Sequence, residues 1–256
     1  MVSGRSPRPA RGPGGSLPRR PRAASFDVWL TLIRSNPRFK AERNSMLRAA
    51  VAPDVAPQAF ADALREADVR ADRLAERTGR DHHLDDRLRL ALGLLERPTE
   101  VLDDALSGAL REHQHELAME LPPTPLDPSL PDLLAELAAA VPLAITSNTG
   151  MIPASTMRAL LHEVGLLESF VVQTFSDETG AAKPDPVIFA ATMRCLGEHA
   201  PGAAPGDVVH VGDNPLADDA GARAAGMMSM LVGPSLAVGQ AVSVLLEHAV
   251  EPAGLR

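Results

Sequence analysis

Five short β-type runs divide this chain, and three of them end on a residue that can do chemistry. They are "AASFDVW" (23–29), "PLAITS" (142–147), "SFVVQTF" (169–175), "DVVHVGD" (207–213) and "MMSMLVG" (227–233). From the second onward they are separated by helix-compatible stretches such as "MIPASTMRALLHEVGLL" and "PDPVIFAATMRCLGEHA". Strands alternating with helices predict a doubly wound α/β core, a parallel Rossmann-like sheet covered on both faces. In such sheets the ligand crevice lies beyond the carboxyl ends of the strands. Asp27, Ser147 and Asp213 all stand at such ends.

The gap between the first two runs is too long for one crossover. Within it Phe60, Leu64, Ala67, Ala71 and Leu74 recur at helical spacing and form one apolar stripe. Leu84, Leu88, Ala91 and Leu95 form a second. Leu102, Ala105, Leu106, Ala109, Leu110 and Leu117 form a third. The breaks "RTGRDHH" and "ERPT" divide them, and the Pro-rich "LPPTPLDPSLP" returns the chain to the sheet. The expected organisation is a tail over 1–22, an α/β core from 23–37 and 128–256, and a helical domain over 38–127.

Composition narrows the function. Residues 1–22 carry six Arg and no acid, with five Pro and four Gly, too little apolar surface to fold and no signal-peptide core. The tail is expected to be disordered, either dispensable or an anion-binding arm. Without it, 19 basic residues face 33 acidic ones, a net charge of about −14, which argues against nucleic acid as a partner. No run approaches the ~20 apolar residues of a membrane span. One cysteine, Cys195, rules out an internal disulfide framework and suits a reducing cytoplasm. It is expected to be a small core residue within its helix.

A lone carboxylate at a strand end is more often structural than catalytic, so Asp27 needs company. "AITSNTG" supplies Ser147 and Asn148, a hydroxyl and backbone N–H groups suited to an anion. "GAAKPDPVIF" places Lys183 at a helix entrance, and "GDNPLADDAGARAAGM" brings Asp213, Asp218 and Asp219 off the fourth strand. The last stretch lacks the third-position Asp/Asn and sixth-position Gly of a calcium loop, and its "GARAAG" reads as a small-residue helix rather than a dinucleotide fingerprint. His82, His83, His113 and His115 read as solvated residues, and His210 as packing within its strand.

These four segments, in this order, resemble the signature motifs of the haloacid dehalogenase-like (HAD) hydrolase superfamily, from residue 23 to about 233 apart from the helical insert. The insert resembles the cap of members whose cap lies between the first and second motifs. The resemblance implies that Asp27 is a nucleophile forming an aspartyl-phosphate, and that Ser147 holds a phosphoryl oxygen. Lys183 would neutralise charge, Thr31 matches the first motif, and Asp27, Asp213 and the Trp29 carbonyl would hold Mg²⁺. Asp218 would orient that shell or Lys183. The implied substrate is a small phosphorylated metabolite.

One position departs from the pattern. Phosphatases of this superfamily usually carry a second Asp two residues after the nucleophile, as acid and base; here it is Trp29, followed by Leu30. An aromatic there is similar to the L-2-haloacid dehalogenases, which carry Tyr and use no metal. The acidic pair of "GDNPLADD" and the absence of a clear dehalogenase substrate pattern favour a Mg²⁺-dependent phosphatase. A C–X hydrolase and a catalytically reduced binding or regulatory protein are the alternatives. The Arg-rich insert, with Arg65, Arg70, Arg73 and Arg87 among interleaved acids, reads as a solvated helix face.

Overall fold

The computed structural model describes residues 20–249, so most of the Arg-rich tail lies outside the described residues. Where the chain enters, Arg22 donates to the carbonyls of Gly202 (2.9 Å) and Pro201 (2.7 Å), at the amino ends of the strands.

The elements run β1 (Ala23–Phe26), β2 (Ile33–Arg34), α1 (Pro37–Val51), α2 (Pro57–Thr78), α3 (Leu84–Leu94), α4 (Asp104–Glu120), β3 (Thr124–Pro125), α5 (Leu130–Ala140) and β4 (Leu143–Ser147). They continue with α6 (Ala154–Glu163), β5 (Val172–Phe175), α7 (Ser176–Thr179), α8 (Pro186–His199), β6 (Val208–Gly212), α9 (Gly221–Ala224), β7 (Met228–Leu231) and α10 (Val238–Ala249). All five runs expected as strands are strands. They form one sheet in the order β5-β4-β1-β6-β7, and every pairing is parallel. The chain first winds outward from β1 to β4 and β5, then crosses to β6 and β7. The order therefore reverses between β1 and β6, where a doubly wound sheet opens its crevice.

The three central strands β1, β4 and β6 are buried on both faces, while the edge strand β7 is half-exposed. Phe26, Ile145, Val209 and Val211 pack with α5, α6 and α10 residues such as Leu134, Met157 and Leu245. Ala144, Val172 and Val208 pack on the other side with Ile188, Phe189 and Leu196 of α8. Two covered faces explain why these strands read as continuous apolar runs rather than alternating ones.

Between β2 and β3 the chain is helical, and α1 to α4 share a second hydrophobic cluster around Leu47, Phe60, Leu64, Leu84, Leu88 and Leu110. The exit and return strands pair antiparallel, Ile33 with Pro125 and Arg34 with Thr124. This two-residue ribbon is too short to show a period in sequence. The α2 end docks on the core through Gly79, whose φ of 68° and contact with the Asp185 side chain exclude any other residue without rearrangement. Its carbonyl accepts from the Ala182 N–H (2.8 Å).

Several sequence expectations are corrected. Arg87 is not on a solvated face: it is 5% exposed, because Asp68, Asp72 and Asp81 surround its guanidinium. Cys195 is exposed rather than a core residue, lying on the outer side of α8. Leu74 and Leu95 end their stripes only half-buried, and the third stripe is rotated on α4. Ala105 and Ala109 face solvent there, while Ser107, Leu110, Gln114 and Leu117 are buried. Gln114 turns inward because its amide donates to the Met151 carbonyl (2.7 Å).

Candidate active site

The site is built where β1, β4 and β6 end. The first link beyond β1 is the Asp27 N–H donating to the Val211 carbonyl (2.9 Å), which places the carboxylate over the sheet's crevice. Asp27 is 8% exposed. Its Oδ1 accepts from Lys183 Nζ (2.6 Å) and from Ser147 Oγ (2.9 Å). Lys183 is buried and bridges Asp27 to Asp218 Oδ1, also at 2.6 Å.

Lys183 is delivered by two local devices. The Asn148 side chain pairs with the Lys183 backbone in both directions, accepting its N–H (2.7 Å) and donating to its carbonyl (3.1 Å). Then α8 begins at once, with Asp185 capping the Val187 N–H and Pro186 at the first helical position. The "KPDPVIF" stretch is thus a lysine followed by a helix start.

Asp218 has both oxygens occupied. Oδ1 takes Lys183 and His210 Nε2 (3.1 Å), and Oδ2 takes the Asn214 N–H (2.9 Å). A Cβ on Gly212 would sit 2.2 Å from the Asp218 carboxyl carbon, so the glycine before Asp213 makes room for this contact. His210 packs in its strand as expected, and it also joins the site to a buried polar chain. Burial pushes the imidazole pKa down, so the ring is neutral. Facing a carboxylate, Nε2 carries the hydrogen, and Nδ1 accepts from Ser25 Oγ (3.1 Å). Ser25 continues to Thr146 and Thr146 to Thr192, each at 2.7 Å.

The electrostatics are those of crowded carboxylates around one cation. Burial pushes the Asp27 carboxyl up, opposed by Lys183. Burial works the same way on Asp218, but Lys183 and the His210 bond outweigh it and hold its pKa below the usual range. Lys183 is raised: the desolvation that would discharge it is overcome by Asp218 and Asp27. Asp213 is raised to about 6 by burial and by the Asp27 and Asp218 charges. No salt bridge reaches Asp213 among the described residues. Ligand oxygens of Asp27, Asp213 and Asp218 can lie within 4.8 Å of one another. An oxygen-only set with surplus negative charge fits a hard divalent cation such as Mg²⁺.

Of the other residues singled out in the sequence, Asn148 and Trp29 line the same cavity, of about 520 Å³. Thr31 does not: it is fully buried, and its Oγ1 has no hydrogen-bond partner among the described residues. Trp29 is half-buried, packed against the hydrophobic cluster that holds Phe39, Ile152 and Leu160. Leu30 beside it has φ 59° and is 63% exposed on the cavity rim, a strained conformation for a leucine.

Sequence reasoning missed the insert's share of the site. Lys40, Arg43, Arg65, Asp68, Asp72, Glu76, Asp81 and Arg87 all line the cavity. Asp81 Oδ2 accepts from the backbone N–H groups of Thr149 and Gly150, each at 3.0 Å, and from the Ser176 hydroxyl. Glu76 Oε1 accepts from Asn214 Nδ2 (3.1 Å). The one signal available was position: Asp81 lies in the break "RTGRDHH", where a chain turning between helices can reach another domain.

A carboxylate, a hydroxyl, a lysine and a second acidic pair at the strand ends of a doubly wound sheet define a class, the aspartate-centred α/β hydrolases. The chain belongs to the haloacid dehalogenase-like hydrolases, whose family model matches residues 21–226. It is 34% identical over 166 residues to the phosphoserine phosphatase of Thermus thermophilus, covering 59% of this chain and 63% of that enzyme. The chain thus spans less than two thirds of that relative's length. In fold it is similar to the HAD-hydrolase YfnB of Bacillus subtilis, described as bound to magnesium (TM-score 0.63, 20% identity, 86% and 92% of the two chains). It is also similar to the L-2-haloacid dehalogenase of Xanthobacter autotrophicus (TM-score 0.54, 23% identity, 82% and 77%). Structures described as a magnesium-bound HAD-hydrolase and as a dehalogenase share the fold, so function has to be argued from the site.

Proposed function

We propose that this chain is a Mg²⁺-dependent phosphatase acting on a small phosphorylated metabolite through an aspartyl-phosphate on Asp27, with the helical insert as its cap. The observation that carries this reading is the contrast between Asp218 and Asp213. Asp218 is satisfied by Lys183, His210 and a backbone amide; Asp213 beside it has no salt bridge among the described residues and is crowded by the Asp27 and Asp218 charges. A dehalogenase without metal gains nothing from Asp213 in that state, whereas a cation relieves it.

Asp27 Oδ1 is held by Lys183 and Ser147, so Oδ2 is the oxygen free to attack phosphorus. Lys183 keeps the nucleophile ionised and lies where charge gathers on the transferring group. Ser147 and the backbone N–H of Asn148 would hold a phosphoryl oxygen, and the Asn148 side chain fixes Lys183 through its backbone. Asp27, Asp213 and the Trp29 carbonyl would hold the ion, while Asp218 holds Lys183. When bound, the ion neutralises phosphoryl charge and orients the group toward Asp27. On the insert side of the cavity, where acids and bases are mixed, Lys40 and Arg43 have no ion pair among the described residues and would meet an anionic substrate.

The reading is tested by phosphate release from a panel of phosphomonoesters with Mg²⁺ and after chelation, with halide release from 2-haloacids in parallel. We expect metal-dependent phosphate release and no halide. Halide release, or phosphate release indifferent to chelation, overturns it.

A further inference from the structure

We propose that Glu76, on α2 of the insert, supplies the acid and base that Trp29 cannot. The inference rests on the phosphatase reading and deepens it. The indole N–H is far too weak an acid to protonate a leaving group, and among the described residues no histidine lines the cavity. The acids that do are Asp27, Asp68, Asp72, Glu76, Asp81, Asp213 and Asp218.

All but one of these are committed elsewhere. Asp68 and Asp72 pair with Arg87 at 3.2 and 2.7 Å. Asp81 fills a cradle of N–H and O–H donors at Thr149, Gly150 and Ser176. Asp27, Asp213 and Asp218 form the nucleophile and cation cluster. Glu76 has no ion pair among the described residues, and only Oε1 is bonded, to Asn214 Nδ2. Asn214 is itself rigid: its N–H donates to Asp218, and its Oδ1 accepts from Leu216 and Ala217. Glu76 is therefore held against the residue that follows Asp213, on the wall of the cavity, with no hydrogen bond to Oε2 among the described residues.

The chemistry balances over two steps. In the first, Asp27 Oδ2 forms a bond to phosphorus, the ester P–O bond breaks, and the Glu76 carboxyl proton passes to the leaving alkoxide. In the second, Glu76 takes a proton from water, the water oxygen bonds to phosphorus, and the bond to Asp27 breaks. Alcohol and phosphate leave, and Glu76 is protonated again.

Glu76→Gln isolates this role, because a glutamine carbonyl can keep the Asn214 bond but cannot carry the proton. The measurement is first-turnover and steady-state kinetics of wild type and E76Q, with Mg²⁺, on an aryl phosphate (para-nitrophenyl phosphate) and on simple alkyl phosphates. A phenolate leaves without protonation and an alkoxide does not. We expect the first turnover of the alkyl esters to fall about 10²–10⁴-fold while that of the aryl ester falls far less. Steady-state turnover of the aryl ester should then lag behind its first turnover, as phosphoenzyme waits for a base. Equal loss of the first turnover on both esters, or no loss on either, overturns the assignment of Glu76. Absence of phosphate release by wild type from every ester overturns the phosphatase reading, and the assignment with it.

Discussion

Asp81 of the helical insert and Thr149 of the core meet through a carboxylate-to-amide hydrogen bond of 3.0 Å, directly behind the strand end that carries Ser147. The Gly150 N–H and the Ser176 hydroxyl complete the cradle, and Arg87 lies against the same loop. One side chain thus ties the insert to the loop that would receive the phosphoryl group.

Asp81→Ala should cost about 2–4 kcal/mol, since it orphans buried donors and removes a partner of buried Arg87. Hydrogen exchange at Thr149 and Gly150 should speed up with it, while exchange in β6 should not. Burial alone would raise the Asp81 carboxyl, but the bonds from Ser176, Gly150 and His82 hold it below its ordinary value. The stabilisation is therefore present above about pH 4 and lost as pH falls below that. Unchanged amide exchange in the variant would mean the insert is held by its other contacts.

Lys183→Met should destabilise the fold by about 3–5 kcal/mol, because Asp27 and Asp218 would stay buried without their cation. Asn148→Ala should cost about 1–3 kcal/mol through the two backbone bonds to Lys183. Chemical denaturation measures both. A Lys183→Met protein as stable as wild type would show that the carboxylates do not depend on the ammonium.

Asp213 should govern the pH dependence of cation binding. Its carboxyl titrates at about 6, and the ion needs it ionised, so Mg²⁺ affinity should rise with pH up to that point and level off above it. In the metal-free protein the sign for stability is opposite. A raised carboxyl favours the fold below about pH 4, and that contribution is lost as pH rises through about 6. Asp213→Asn should thus stabilise the metal-free protein at neutral pH by about 1 kcal/mol, after discounting for its partial exposure. Calorimetric titration with Mg²⁺ at pH 5 and 7 checks the first expectation; equal affinities would contradict it.

The middle of the sheet could be read from the chain because β1, β4 and β6, buried on both faces, leave largely apolar runs, each closed by a polar residue. Asp27, Ser147 and Asp213 were legible because each stands where a strand ends, and Lys183 and Asp218 because their motifs sit at a helix start and in the turn after β6. The insert's contribution was not. Arg87, Asp68, Asp72 and Asp81 look like an ordinary charged helix pair in sequence, and only the packing of α2 on α3 buries Arg87 and gathers the three acids around it. Gln114 was invisible likewise, since its partner is a backbone carbonyl 37 residues away. Thr31 could be matched by resemblance, but its burial away from the cavity could not be foreseen.

Trp29→Ala should cost about 2 kcal/mol, less than a core tryptophan, because the indole is only half-buried against the cluster that holds Phe39, Ile152 and Leu160. An unchanged denaturation midpoint would mean that this contact contributes nothing to packing.

The central claim is that Asp27 is a nucleophile, and acid-quench trapping tests it directly. Wild-type protein mixed with Mg²⁺ and para-nitrophenyl phosphate, quenched in acid and digested, should yield the peptide containing Asp27 with one added phosphoryl group. Asp27→Asn should show neither the adduct nor turnover, since the amide cannot form an acyl phosphate. Steady turnover in an Asp27→Asn protein, or a phosphoryl group on any other residue, would contradict the account.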